Sequence, residues 1–161
     1  MRDRMLLSAA SFVLLLLAAV AQCQQLAVQI LDAKPVVLAR TDLEALSHVK
    51  VTTTASGASA IFEGVALEAV LEKAGVEFGE ALKKKRLASC LLVEAADGYR
   101  VVIALPELDP AFTDKQFVLA FLKDGKVLDE KDGSYRIVIP DEKRMARWVR
   151  QVTTLKIVDV Q

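Results

Sequence analysis

Residues 87–105 read LASCLLVEAADGYRVVIAL, which is two apolar runs separated by a short polar turn. Gly98 tolerates a positive φ and Asp97 can bond its own backbone, so the Asp97-Gly98-Tyr99 stretch predicts a hairpin turn. The first run is almost continuously apolar, which is typical of a strand covered on both faces. The sequence therefore predicts two paired strands, with Tyr99 and Arg100 directly after the turn.

The rest of the chain adds more strands and few helices. Residues 49–54, 117–121 and 135–139 are rich in β-branched and aromatic side chains, which favour strands. Between residues 67 and 74, apolar side chains recur at the i, i+3, i+4 and i+7 positions of a helix. Because long helices do not alternate with the strands, we predict a single α+β domain. Its core is expected to be a mixed or barrel-like, mostly β structure with two or three short helices.

The N-terminal segment has the three parts of a secretory signal peptide. Arg2 and Arg4 precede an apolar stretch, and Ala19-Val20-Ala21 forms a cleavage site. We predict a signal peptide at residues 1–21 and one domain at residues 22–161. A membrane anchor is the alternative, although the stretch is short for a bilayer. A second alternative is a lipoprotein signal with Cys23 as the lipid acceptor.

The net charge and the cysteine and histidine content argue against nucleic-acid binding and against a zinc site. Without residues 1–21 the chain carries a net charge of about −1, so it has no general field that attracts nucleic acid. We expect a periplasmic or secreted protein with no transmembrane span after signal cleavage. Cys23, Cys90 and His48 form no zinc-binding pattern. Cys90 is interpreted as a small buried apolar residue, and a disulfide with Cys23 is the alternative.

One segment concentrates positive charge around the single tryptophan. Lys143, Arg144, Arg147 and Arg150 surround Trp148, and the arginines are spaced three residues apart. In a helical turn these arginines would share one side, and several guanidinium groups together suit an oxyanion. The alternative is a solvated basic edge in which Trp148 fills part of the core.

Short motifs follow one another in a fixed order through most of the predicted domain. They are Phe62-Glu63-Gly64-Val65-Ala66-Leu67; Asp97-Gly98-Tyr99; Pro106-Glu107-Leu108; Leu119-Ala120; Asp124-Gly125-Lys126; Tyr135-Arg136-Ile137-Val138-Ile139-Pro140; and Arg144, Arg147 and Trp148. In this order and spacing the chain resembles the sulfite-oxidase-type molybdopterin-binding oxidoreductase domain, in its short exported form.

The resemblance implies roles for particular residues. It makes Arg144, Arg147 and Asp97 candidates for binding the pterin cofactor. Arg147 stands where the family usually has lysine, which keeps the charge and changes the shape of the contact. The family also places a tyrosine beside the metal, which makes Tyr99 the candidate catalytic residue.

One departure from the family concerns the metal itself. The resemblance implies that molybdenum is held by a cysteine thiolate just after the strand at residues 51–54. The loop at residues 55–59 reads ASGAS and contains no cysteine. Hydroxyl groups such as those of Thr53, Thr54 and Ser56 are too hard to replace a thiolate on molybdenum. Molybdopterin is therefore possible by resemblance, and we predict that it is absent and that the chain provides no metal ligand.

Three functions remain open from the sequence. The preferred hypothesis is an exported, degenerate relative of these oxidoreductases that keeps the fold and binds a small anion or a protein partner. The second is an active molybdenum-cofactor oxidoreductase acting on a small oxyanion or sulfur compound. The third is a structural or lipid-anchored periplasmic protein. Fold alone does not choose among them.

Overall fold

A computed structural model describes residues 25–54, 59–82, 84–140 and 142–160. The predicted signal peptide, Cys23 and residues 55–58 of the loop lie outside the described residues. Ten strands are described: β1 (Leu26–Ile30), β2 (Val36–Leu38), β3 (His48–Thr53), β4 (Ala60–Ala66), β5 (Ser89–Ala95), β6 (Arg100–Ala104), β7 (Val118–Lys123), β8 (Lys126–Val127), β9 (Arg136–Val138) and β10 (Val152–Asp159).

Helices occupy little of the described chain. The two α-helices are α1 (Arg40–Glu44) and α2 (Leu67–Lys73). Short 3₁₀ helices cover Gly79–Ala81, Lys84–Ala88, Leu105–Leu108 and Met145–Arg147. The prediction of a single α+β domain with a mixed, mostly β core and few short helices is confirmed. No helix in the described ranges is long and apolar enough to cross a membrane.

The first sheet has the strand order β2-β1-β10-β5-β6. Strand β1 runs parallel to β10 and the other pairs are antiparallel, so the sheet is mixed. In β5, Leu91 and Val93 face the core and are buried, whereas Cys90 and Leu92 on the other face are half-buried. The prediction that both faces of this strand are covered is therefore wrong for its outer face.

The predicted hairpin joins β5 to β6. The Ala95 amide donates to the Tyr99 carbonyl at 2.9 Å, and the Tyr99 amide donates to the Asp97 carboxylate at 2.9 Å. Gly98 has a φ of 85°, a conformation that L side chains rarely adopt. The turn residues thus place Asp97 and Tyr99 together at one end of the first sheet.

The second sheet has the order β3-β4-β7-β8, and β9 pairs with the other edge of β7. Gly64 on β4 lies so close to β7 that a Cβ there would overlap the Leu119 carbonyl. Strand β4 leads directly into α2, whose Leu67, Val70 and Leu71 are buried as the helical spacing predicts.

Both sheets contribute to one hydrophobic core. Leu91 and Val93 of the first sheet belong to the same buried cluster as Leu119 and Phe121 of the second. The described strands form two separate sheets around this core, so the barrel-like alternative is wrong. This arrangement brings the β5–β6 turn close to the segment that follows β9, as the Tyr99–Ala146 hydrogen bond described below shows.

Candidate functional site

The segment that carries the basic cluster is mostly irregular. Its only helical turn covers Met145–Arg147, so Arg144 and Arg150 lie outside it. The prediction that the arginines share one side of a helical turn is therefore wrong. Trp148 is buried, and its indole Nε1 donates to the Ile139 carbonyl at 3.0 Å. The tryptophan fixes the segment to the core, while the three arginine side chains have different surroundings.

Arg147 is held by two carboxylates. Its Nε donates to Glu142 Oε1 at 2.8 Å, and its Nη2 contacts the same oxygen. Its Nη1 lies 3.3 Å from Oε1 of Glu107, which belongs to the 3₁₀ helix Leu105–Leu108 after β6. The hydrogen bond with Glu142, and to a smaller extent the one with Glu107, raises the pKa of Arg147. The charge of this arginine is therefore compensated within the protein.

Arg144 lines a cavity of about 490 Å³, here named the Arg144 cavity. Its walls come from the end of β3 and from the basic segment: Thr53, Thr54, Pro140, Glu142, Lys143, Arg144, Met145 and Trp148. Lys143 and Arg144 form no ion pair with any residue that the structure describes. Since Glu142 is engaged by Arg147, this cavity keeps an excess of positive charge.

A second cavity of about 220 Å³ shares two lining residues, Met145 and Trp148, with the first. We name it the Arg136 cavity, and its lining residues are Asp97, Tyr99, Arg136, Met145, Ala146, Trp148 and Arg150. The Tyr99 ring is 49% exposed, and its hydroxyl donates to the Ala146 carbonyl at 2.7 Å. The predicted site residues are thus divided, with Asp97 and Tyr99 here and Arg144 in the other cavity.

Arg136 is the functional candidate that the sequence reasoning missed. Its side chain is only 7% exposed, and its Nη1 donates to the buried Asp132 carboxylate at 2.7 Å. Burial lowers the pKa of Arg136, and the neighbouring Asp132 opposes this shift. Its Nε is buried without a hydrogen-bond partner among the residues described. An arginine inside the apolar run Tyr135–Ile139 was the signal that could have identified it.

The loop before β9 holds the Arg136 pair in place. Oδ1 of Asp132 also lies 3.3 Å from Nε of Arg150, so one carboxylate forms ion pairs with two guanidinium groups. The Gln151 amide donates to the Asp132 carbonyl at 2.8 Å, and the Ala96 amide donates to the Gln151 carbonyl at 2.9 Å. These bonds connect the Asp132 loop to the β5–β6 turn. They therefore hold Arg136 and Tyr99, which line the same cavity, in fixed relative positions.

Comparison with known proteins agrees with this fold and these motifs. The sequence profile of the oxidoreductase molybdopterin-binding domain matches residues 18–161. The chain belongs to this family. The resemblance drawn from the short motifs is therefore confirmed, because the match spans nearly the whole sequence. No curated protein sequence matches the chain.

A solved structure of similar fold is the sulfane dehydrogenase SoxCD from Paracoccus pantotrophus. The TM-score is 0.67 and the sequence identity is 21%, over 85% of this chain. The match covers 38% of the SoxCD chain, so this molybdopterin-binding-domain protein spans well under half of that length. At this identity the comparison supports the fold and says nothing about the reaction.

The described residues do not fit a molybdenum ion held by a thiolate. Cys90 is the thiol that the structure describes, and it lies on the outer face of β5, opposite Ala104 of β6. That position is about 17 Å along the strand from Ala95, where the Tyr99 turn begins. Cys90 lines neither cavity, and the described ranges contain no cluster of three metal-binding side chains. Cys90 was interpreted as a small buried apolar residue, and the structure corrects this to a half-buried one.

Proposed function

We propose that this member of the molybdopterin-binding-domain family is an exported, degenerate relative that binds a small oxyanion in the Arg144 cavity. In this proposal the fold is retained while the molybdenum chemistry is lost. The exported location rests on the signal-peptide pattern of residues 1–21, and it places the domain in the periplasm or outside the cell.

The observation that carries this proposal is the uncompensated charge of Lys143 and Arg144. Both side chains line the cavity, and the nearby Glu142 is bonded to Arg147. A guanidinium group offers paired donors that match the oxygens of a phosphate or sulfate, and an ammonium group adds a second positive charge. Thr53 and Thr54 line the same cavity, and a threonine hydroxyl can donate to a bound oxyanion.

The loss of molybdenum chemistry is supported by the donor atoms. No thiolate reaches either cavity from the described residues, and residues 55–58 contain no cysteine. Asp97 and Tyr99 line one cavity and Arg144 lines the other, whereas Arg147 is bonded to Glu107 and Glu142. We therefore propose that molybdopterin is absent and that Tyr99 has no catalytic role.

Calorimetric titration with inorganic phosphate and with sulfate tests the oxyanion site. We expect saturable binding that Arg144→Ala weakens by about tenfold, because one charge-assisted pair is lost. The matched control is Arg100→Ala, which removes an exposed arginine that lines neither cavity. Equal binding by both variants and the parent protein would contradict the proposal and favour a solvated basic edge.

Metal analysis of protein purified after export in its natural host separates the preferred function from an active oxidoreductase. We expect molybdenum and pterin well below one equivalent per chain. Stoichiometric cofactor would overturn the proposed loss and would favour oxidation or reduction of a small oxyanion or sulfur compound. Labelling at Cys23 by a lipid precursor would favour the lipid-anchored alternative instead.

A further inference from the structure

A further cavity lies beside the start of α2, away from the basic segment. Its volume is about 210 Å³, and we name it the Glu68 cavity. Its wall comes from β3, from the junction of β4 with α2, and from the chain between Leu108 and Val118. It shares no lining residue with the Arg144 cavity or the Arg136 cavity, so it is a separate candidate site.

Much of the wall of the Glu68 cavity is hydrocarbon. The apolar lining residues are Val49, Ala66, Leu108, Pro110, Phe117 and Val118. The Leu67 amide donates to the Phe117 carbonyl at 2.8 Å, which holds the start of β7 against the start of α2. This bond places the apolar wall next to Glu68, in the first turn of α2. The cavity therefore offers a short hydrocarbon chain a surface on which to pack.

Two carboxylates line the same cavity and have no partner of their own. Neither Glu68 nor Asp114 forms a hydrogen bond or an ion pair with any residue that the structure describes. Burial raises the pKa of Glu68, and the nearby carboxylates of Glu72 and Asp109 add to this shift. A carboxylate that is partly removed from water and surrounded by other carboxylates is stabilised by an added cation.

The protein supplies one cation at this wall, and it is directed elsewhere. Lys115 lines the cavity, and its Nζ lies 3.6 Å from Oε2 of Glu107. It forms no ion pair with Glu68 or Asp114. The lining residues that the structure describes therefore carry more negative than positive charge, and the cavity favours a positively charged ligand.

The composition of the wall selects the kind of cation. Calcium takes six to eight oxygen ligands, whereas the described ranges contain no group of three side chains placed to hold a metal ion. An organic ammonium ion pairs with a carboxylate through its own N–H groups and buries its chain against hydrocarbon. At about 210 Å³ the cavity is smaller than the roughly 300–1,000 Å³ of sites for drug-sized ligands, so the chain must be short.

We propose that the Glu68 cavity binds a small primary alkylammonium ion. The ammonium group donates to the Glu68 carboxylate, Asp114 adds a second negative charge, and the hydrocarbon chain packs on Leu108 and Phe117. This site differs in place and in the sign of its charge from the oxyanion site of the Arg144 cavity, and neither proposal depends on the other.

The competing explanation is that Lys115 itself neutralises the cavity in solution. Its side chain is 49% exposed and has a flexible stem, so its ammonium group can exchange Glu107 for another carboxylate. An added amine would then find the carboxylates of the cavity already paired. The two explanations differ in whether an amine binds to the unaltered protein, so a binding experiment decides between them.

Titration with butylammonium chloride, followed by calorimetry and by saturation-transfer NMR of the ligand, tests the proposal. The ionic strength is held constant with sodium chloride, because screening weakens charge interactions. Butan-1-ol has a similar shape without the charge and serves as the matched neutral ligand. We expect saturable binding of butylammonium and at least about tenfold weaker binding of butan-1-ol. No saturable binding of butylammonium, or equal binding of butan-1-ol, would overturn the proposal.

Substitution of one glutamate tests the site against a general effect of negative charge. Glu68→Gln keeps the shape and removes the charge, so we expect butylammonium binding at least about fivefold weaker. The matched control is Glu72→Gln, which removes the same charge from an exposed position on the same helix that does not line the cavity. It should change the affinity by less than about twofold. Equal weakening by both variants would overturn the proposal.

Substitution of Lys115 tests the competing explanation. Lys115→Gln removes the positive charge from the wall, so it should strengthen butylammonium binding severalfold. Weaker binding in this variant, or binding in this variant alone, would overturn the proposal. Arg144→Ala separates the two sites, since it should weaken phosphate binding and leave butylammonium binding unchanged.

Discussion

The two cavities that share Trp148 differ in how the arginines in and near them are paired. Arg147 is bonded to Glu107 and Glu142, and Arg136 is bonded to Asp132, so both contribute to holding the fold together. Arg144 is only three residues from Arg147 and has no carboxylate partner among the described residues. The difference teaches that availability to a ligand depends on which acidic residues the fold brings near. Glu107 is 40 residues away from Arg147 along the chain.

The largest effect is expected where the carboxylate partner is buried. Asp132→Asn keeps the shape of the side chain and leaves Arg136 as a buried charge without a compensating carboxylate. Breaking a buried ion pair in this way costs about 3–5 kcal/mol of the free energy of unfolding, which urea denaturation measures. Asp114→Asn is the control, because Asp114 is exposed, and it should change stability by less than about 0.5 kcal/mol. Equal losses of stability in the two variants would show that the buried Asp132–Arg136 ion pair contributes no more to the fold than an exposed carboxylate does.

A smaller effect is expected in the basic segment itself. Arg147→Gln leaves Glu107 and Glu142 without their shared cation, and these side chains are partly buried. We expect a loss of about 1–2 kcal/mol in thermal or urea unfolding. The matched variant Arg144→Gln should leave stability within about 0.5 kcal/mol, since no described residue bonds to Arg144. A larger loss for Arg144→Gln than for Arg147→Gln would reverse the comparison.

The smallest changes in stability are expected at two glutamates, Glu63 and Glu68, whose surroundings shift their pKa values in opposite directions. Hydrogen bonds from Lys50 and His48 lower the pKa of Glu63, whereas burial, with Glu72 and Asp109 nearby, raises the pKa of Glu68. The stability that Glu63 adds is present above its ordinary pKa and is lost as the pH falls through its lowered folded value. Glu68 favours the fold when protonated, and that stability is lost as the pH rises through its raised folded value.

Substitution of each glutamate measures this contrast directly. At neutral pH we expect Glu63→Gln to lower the unfolding temperature and Glu68→Gln to raise it, with both shifts smaller than that of Arg147→Gln. Unfolding curves recorded between pH 3 and pH 7 should show the two differences shrinking toward acid pH. If both variants shifted the unfolding temperature in the same direction, the opposite pKa shifts of Glu63 and Glu68 would be contradicted.

The sequence predicted much of the fold because local signals agreed with one another. The turn at Asp97-Gly98-Tyr99 and the helical spacing before Gly75 both correspond to elements of the structure. Local signals did not predict the division into two sheets, since that depends on pairing between distant strands such as β1 and β10. They also suggested a helical turn containing three aligned arginines, where the chain forms only the short turn Met145–Arg147.

The candidate site was predicted less completely. Asp97 and Tyr99 line one of the two cavities and Arg144 lines the other, and no local signal in the sequence predicted this division. Arg136 was quoted within a motif, yet nothing in its neighbours along the chain showed that its Nε would be buried without a partner. The functional roles of all these residues stay predictions that the binding and metal measurements address.

The sequence by itself determined the strands, the turns, the helix α2 and the family, because each depends on residues close together along the chain or on their order. Only the tertiary structure decided which positive charges are compensated. Glu107, Asp132 and Glu142 approach their arginines through folding, and charge interactions depend on the distance through space and on exclusion of water. For that reason Arg144 and Arg147 look alike in the sequence and have different surroundings in the protein.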